Sequence, residues 1–181
     1  QIISALFGYG QFTEVSVSNS AKALYYFALG LPAFAFIKVF SNFFFANQDT
    51  KTPFYISFIS VVLNILISVY FFRTVGFIII PIATSISSWF NTIALFFILK
   101  KRNLFFFNNI FISRFIKIIL SSIMMGFLFY YLLILLQDQL AFDQNFKSFY
   151  LILSVAIAAC FYIFVSYLIK AFQLEDIKLK Y

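Results

Sequence analysis

The chain has 181 residues, of which 64% are hydrophobic and 10% charged, with a net charge of +7 and a mean hydropathy of +1.00. Soluble domains average about 25% charged residues, so this composition cannot cover a water-facing surface. Histidine is absent and Cys160 is the one cysteine, which excludes disulfide frameworks, His/Cys metal centres and Ser–His or Cys–His catalysis.

Taken in chain order, Gln1 to Phe7 reads as the end of a helix already under way. Without an initiator Met or a signal-peptide pattern, the chain is expected to be a piece of a longer protein. Five apolar runs follow, at 21–47, 53–72, 77–99, 112–136 and 149–172. Each is long enough to cross a bilayer of roughly 30 Å as a helix. A globular alternative would need five consecutive core helices without an amphipathic partner. The predicted fold is therefore an all-α, polytopic transmembrane helical bundle with about five spanning helices. Its segments are expected at 1–20 (end of a preceding span and periplasmic loop), 21–99 (three spans), 100–111 (cytoplasmic loop), 112–172 (two more spans) and 173–181 (cytoplasmic tail).

Gly30 and Pro32 break the first run, because Pro32 cannot donate to the carbonyl of Ala28 and should kink the helix. Lys38 lies deeper in the same run, where insertion of a lysine costs roughly 2.5–3.5 kcal/mol. It faces a polar interior or snorkels to the helix end. The run closes on a polar turn, Gln48-Asp49-Thr50-Lys51-Thr52-Pro53, with Thr52 the expected cap of the next helix.

Alternating the spans places nine basic residues on one side: Lys51, Lys100, Lys101, Arg102, Arg114, Lys117, Lys170, Lys178 and Lys180. Lys22, Arg73 and Lys147 fall on the other side. The positive-inside rule makes the first side cytoplasmic, with the C-terminus there too. The same pattern reads the positive charge as a topology signal and predicts no nucleic-acid partner.

Ser57, Ser60, Asn64 and Ser68 share one face of the second span. Thr84, Ser88 and Asn91 share a face of the third, with Ser85, Ser87 and Thr92 beside it. One reading is hydrogen bonding between the two helices, worth roughly 0.6 kcal/mol per contact. The other is a water-lined cavity or a cation site, with Asn64, Ser68, Thr84 and Ser88 as its candidates. The last two spans are apolar and carry small-residue spacings, Ser154 to Ala158 and Ala156 to Cys160, that suit close helix packing. A groove for an acyl or isoprenoid chain is the alternative. The acidic residues Asp138, Asp143, Glu175 and Asp176 fall in a loop and the tail, so no enclosed acid–base pair and no enzyme are expected. No metal or cofactor is expected either.

Two stretches carry a resemblance: LFGYGQFT, Leu6 to Thr13, and ALGLPAFAFIKVFSNFFFANQDTKTP, Ala28 to Pro53. They resemble the C-terminal part of the MurJ (MviN) lipid II flippases of the MOP exporter superfamily. Leu6, Phe7, Gly10, Phe12, Gly30, Leu31, Lys38, Val39, Gln48, Asp49, Thr50, Thr52, Pro53 and Gly76 match the family pattern. Asn42 stands where a proline is common, and Asn47 where an arginine is common. The resemblance implies a fourteen-helix transporter, of which this chain holds the last five spans. It implies an inner-membrane protein whose substrate is the undecaprenyl-linked peptidoglycan precursor lipid II. It also implies alternating access, a cationic cavity built mainly by the absent lobe, and a tail groove formed by the last two helices. Lys38 is then an auxiliary cavity charge, and Gln48, Asp49 and Lys51 form a cytoplasmic turn. Another MOP exporter, a membrane-bound transferase and a non-transporting scaffold are the competing expectations.

Overall fold

The computed structural model describes residues 2–7, 13–104, 108–141, 144 and 146–171. The elements are α1 (Ile2–Phe7), α2 (Glu14–Ala46), α3 (Lys51–Val75), α4 (Ile79–Lys101), α5 (Asn109–Leu135) and α6 (Lys147–Leu168), with a 3-10 turn at Gly76–Ile78. The described residues contain no strand, and four stretches, with α3 and α4 forming one of them, are long and apolar enough to cross a membrane. The chain is an all-helical, multi-pass membrane bundle. The expected tail at 173–181, Phe172 and Asp143 lie outside the described residues.

The chain divides into two units, one of residues 18–106 and one of the residues before and after. In the first unit, α3 and α4 form an antiparallel hairpin. Its turn needs Gly76, whose φ of 75° and ψ of −155° lie where a side chain is strained. The amide of Gly76 still donates to the Phe72 carbonyl, so this helix-end acceptor is satisfied at the reversal. The core of this unit is Phe40 and Phe44 of α2, Ile56 of α3, and Leu95 and Leu99 of α4.

Helix α2 begins seven residues before the predicted span, within the stretch expected to be loop. The reason is a cap: the Ser16 amide donates to Thr13 Oγ1 at 3.4 Å, and Glu14 sits in the first turn, where a carboxylate suits the helix dipole. At the other end of α2, the Asp49 amide donates to the Phe44 carbonyl and the Gln48 amide to Phe45, both at 2.9 Å. This is a Schellman closure, with Gln48 at φ 58° where glycine is usual. Helices α4 and α6 end in the same way. Leu104 donates to Leu99 across Asn103 (φ 55°), and Ala171 to Ser166 across Lys170 (φ 56°).

In the second unit, α5 packs along α6, and α1 touches α6. Ser154 and Ala158 are buried, whereas Ala156 and Cys160 are exposed, so only the first small-residue stripe carries packing. Ala5, Leu140 and Leu151 form a second core, with Phe129, Leu133, Leu136 and Tyr150 against it. Ser148 Oγ donates to the Ala5 carbonyl at 2.5 Å and ties the first turn of α6 to α1. Lys147 in that turn is only 1% exposed.

The left-handed cap at Gln48 predicts that Gln48→Gly raises stability by about 0.5–1 kcal/mol. That is the roughly 1–2 kcal/mol backbone penalty less the extra chain entropy of glycine. Gly76→Ala should lower stability by about 1–3 kcal/mol, because its φ and ψ lie in a region essentially restricted to glycine. Unfolding of the detergent-solubilised protein measures both, and the opposite order would refute the cap assignment.

Candidate functional site

The polar face predicted on α3 and α4 becomes one wall of a cleft of about 260 Å³ within the first unit. Ser57, Ser60 and Asn64 of α3 and Thr84, Ser87, Ser88 and Asn91 of α4 supply the polar lining, and Phe34 and Ile37 of α2 the apolar side. The side chains bond across the hairpin, and they also border open space.

The bonds run in antiparallel register. Asn64 Nδ2 donates to Thr84 Oγ1 at 3.1 Å and to Ser87 Oγ at 3.3 Å, while Asn64 Oδ1 accepts from Ser68 Oγ at 3.5 Å. Two turns toward the Lys51 end, Asn91 Nδ2 donates to Ser57 Oγ at 3.2 Å. Several hydroxyls return their proton to their own helix: Ser60 to Ile56, Thr84 to Ile80, and Ser87 and Ser88 both to Thr84. With these protons used internally, the free capacity of the lining is mostly oxygen lone pairs. Asn91 Oδ1 is buried and accepts no hydrogen bond among the described residues. A wall of this kind suits a hydrogen-bond donor or a cation and offers little to an anion.

Ser85 and Thr92 leave this face and point to α2, as does Trp89, which the sequence reading did not single out. Ser85 Oγ donates to the Tyr26 carbonyl at 2.5 Å, Trp89 Nε1 to Leu29 at 3.0 Å and Thr92 Oγ1 to Ala33 at 3.0 Å. Gly30 makes this approach possible, since a Cβ there would lie 2.9 Å from Ser85 Oγ and 3.2 Å from Ser85 Cα. The spacing 85, 89, 92 is one helical face and was the available signal for including Trp89.

Lys38 does not line the cleft. It is exposed on α2, one turn beyond Phe34 on the same face and about 12 Å from the end of the helix. Gln48 forms the left-handed cap, and Lys51 is exposed at the start of α3. Thr52 is not the cap of α3. It lies inside the first turn, and the capping oxygen comes from Asp49, whose Oδ1 accepts the Thr52 amide at 3.0 Å. Asp49 Oδ2 accepts Thr52 Oγ1 at 2.6 Å and Arg102 Nη1 at 2.5 Å. Arg102 Nη2 donates to Thr52 Oγ1 at 3.1 Å, and the guanidinium lies 5.8 Å from the Phe44 ring centroid. One clasp thus joins the end of α2, the start of α3 and the end of α4. The Thr52 hydroxyl and amide, and then Arg102, hold the Asp49 carboxyl at about 2, below its ordinary 3.8.

A sequence profile described as lipid II flippase MurJ matches residues 1–152. The chain belongs to the MurJ family. Three relatives, each named a probable lipid II flippase MurJ, indicate the extent of the match. The Rickettsia prowazekii protein is 38% identical over 50% of this chain and 18% of its own length. The Thermotoga maritima protein is 33% identical over 98% of this chain and 34% of its own. The Borreliella burgdorferi protein is 29% identical over 87% of this chain and 31% of its own. The chain thus spans about a third or less of the MurJ relatives it matches. The profile covers α1 to α5, and so both the cleft and the clasp.

Two outcomes follow from this geometry. Asn64→Leu should destabilise the hairpin by about 1–2 kcal/mol, because it removes a donor and an acceptor that are both in use. Asn91→Leu should be near neutral, because it also deletes the unpaired oxygen. Equal losses in thermal unfolding would contradict the hydrogen-bond assignment. At the clasp, the Asp49 pKa is lower in the folded state than its ordinary 3.8, so the charged form is favoured by folding. The stabilisation is complete above about pH 4 and fades as pH falls toward 2. Asp49→Asn should remove this part of the acid sensitivity, read as a flatter unfolding-midpoint profile between those pH values.

Proposed function

We propose that this chain is part of a transporter that moves the undecaprenyl-linked peptidoglycan precursor, lipid II, from the cytoplasmic to the periplasmic leaflet by alternating access. The observation that carries the reading is the family match over residues 1–152, on a chain whose long helices are apolar enough to span a membrane. The protein resides in the bacterial inner membrane, with Lys51, Lys100, Lys101 and the C-terminus on the cytoplasmic side, as the charge bias supports. Helices α2–α4 belong to a transporter lobe and α5–α6 follow it as an apolar pair. The surface of that pair suits the isoprenoid tail, while a pyrophosphate head group needs fixed positive charge.

Lys38 supplies an auxiliary positive charge to the substrate path. A lysine about 12 Å from its helix end is too costly to face acyl chains, so a wet cavity is its natural surrounding. Asn64, Thr84 and Ser88 form the cation-facing part of the cleft, supported by the lone-pair character of its lining, while Ser68 lies outside the lining and holds Asn64 Oδ1. The transported substrate requires no covalent chemistry from this chain, in keeping with a transporter rather than an enzyme.

Complementation tests the reading. The intact gene should restore growth and lipid II translocation in bacteria depleted of their own flippase. An inserted protein that restores neither would overturn it. Lys38→Ala should slow translocation several-fold, and full activity would remove Lys38 from the path. A cysteine at Asn103, in a background with Cys160 replaced, should be shielded from a membrane-impermeant reagent added outside the cell. Labelling there would reverse the orientation.

A further inference from the structure

The polar face shared by α3 and α4 is a ladder whose middle rung is not bonded across. Asn91 bonds Ser57 on one side of it and Asn64 bonds Thr84 on the other. That register sets Ser60, three residues beyond Ser57, opposite Ser88, three residues before Asn91. Both serines line the cleft and turn their protons away from each other. Ser60 Oγ donates to the Ile56 carbonyl at 2.9 Å, and Ser88 Oγ to the Thr84 carbonyl at 2.7 Å. Asn91 Oδ1, buried in the same lining, accepts no hydrogen bond among the described residues. These three oxygens are acceptors whose own protons are spent or absent. A water molecule has two protons to give them, whereas a primary ammonium has three donors and no acceptor. The face of α2 that walls the cleft with Phe34 and Ile37 continues to Lys38, one turn beyond the first and adjacent to the second. Depth agrees as well. Lys38 lies about 12 Å from the end of α2, Ser60 about 14 Å from the start of α3 and Asn91 about 15 Å from the end of α4. The clasp of Asp49, Thr52 and Arg102 holds those three helix ends together. Within 18–106 the one acidic residue is Asp49, and it is committed to that clasp, so neutral oxygens are what this unit offers a lysine at this depth.

We propose that Ser60, Ser88 and Asn91 form a docking site for an ammonium group, and that Lys38 is the side chain that docks there in the bilayer. Lys38 is exposed in this structure, with no ion pair among the described residues. Rotation about its flexible four-carbon stem carries the ammonium past Ile37 into the cleft. The move exchanges lipid, where a charge at this depth is costly, for three fixed oxygens. Docked, Lys38 fills the middle rung against free cations. Extended, it is the auxiliary charge of the substrate path. The extended role rests on the transport reading above, and the docking does not.

Magic-angle-spinning NMR of the intact protein in lipid bilayers tests the docking directly. With nitrogen-15 at lysine Nζ and carbon-13 at asparagine Cγ, the expected result is an Nζ–Cγ dipolar contact within about 4 Å, a charge-assisted hydrogen bond plus the carbonyl bond. The contact should vanish in Lys38→Met, which keeps a long apolar stem and removes the ammonium. It should vanish too in Asn91→Gln, which keeps an amide and removes the labelled carbon. Asn91→Ser serves the same assignment if the longer amide does not fit. One interhelical bond in a membrane is weak, so unfolding midpoints should stay near that of the parent, and the contact rather than stability is the readout. A parent spectrum without the contact, or a contact that survives Lys38→Met, would overturn the docking. Complementation is read separately. Failure to restore lipid II translocation with the contact present would reject the flippase reading and leave the docking in place. Restored translocation without the contact would do the reverse.

Discussion

The absence of a side chain at Gly30 is the constraint on which the first unit depends. A Cβ there would lie 2.9 Å from Ser85 Oγ and 3.2 Å from Ser85 Cα, so helices α2 and α4 lie closer here than most side chains would permit. From that contact follow the three bonds onto α2 and the direction in which the rest of α4 points. One face of α4 is committed to backbone carbonyls of α2. The adjoining face is then left to α3, and it is there that Asn91, Ser88, Ser87 and Thr84 meet Ser57, Ser60 and Asn64. A bulkier residue at position 30 would shift α4 and disturb both faces together.

The two ends of the unit are finished by different physics. At the hairpin turn, only backbone freedom matters, and Gly76 supplies it. At the opposite end, the three helix termini are tied by charge: Asp49 caps α3 and accepts Arg102 from α4, while α2 closes on itself just before it. Arg102 remains about half exposed, with a side-chain exposure of 47%, so the ion pair is worth little as a Coulomb contact alone. Its value lies in geometry. The carboxylate accepts three hydrogen bonds, one guanidinium shared between Asp49 and Thr52 fixes their relative positions, and Phe44 supports the guanidinium from the core side.

Much of this was legible in the sequence, for a simple reason. A bilayer imposes one length and one polarity rule on every span, so apolar runs located the long helices and serine–asparagine spacing located the polar faces. The shortfalls have local causes. The start of α2 was missed because the segment before Ala21 is polar enough to read as loop, although Thr13 and Glu14 are a serviceable helix start. Thr52 was taken for the cap because it precedes Pro53, yet Asp49 three residues earlier is the better acceptor. The bond from Ser148 in the first turn of α6 to the Ala5 carbonyl of α1 joins residues distant in sequence, a contact that no periodicity encodes. Trp89 was invisible as a polar residue because its single donor is easily overlooked in an aromatic-rich helix.

The arrangement of donors decides what each polar surface can do. On the seam with α2, hydroxyl and indole protons point outward to the neighbouring helix, and the contact is closed. On the cleft side, serine and threonine protons turn back into their own helices, the Asn64 and Asn91 amides donate across the hairpin, and oxygen lone pairs remain. The same short stretch of α4 therefore presents a donor face and an acceptor face, set apart only by helical phase. A donor face grips another helix, because helix carbonyls keep a second lone pair while helix amides are already used. An acceptor face cannot be filled by helix backbone, whose amides are already used, and so it stays available to water, to a cation or to a donor-bearing ligand. Gly30 fixes which face is which.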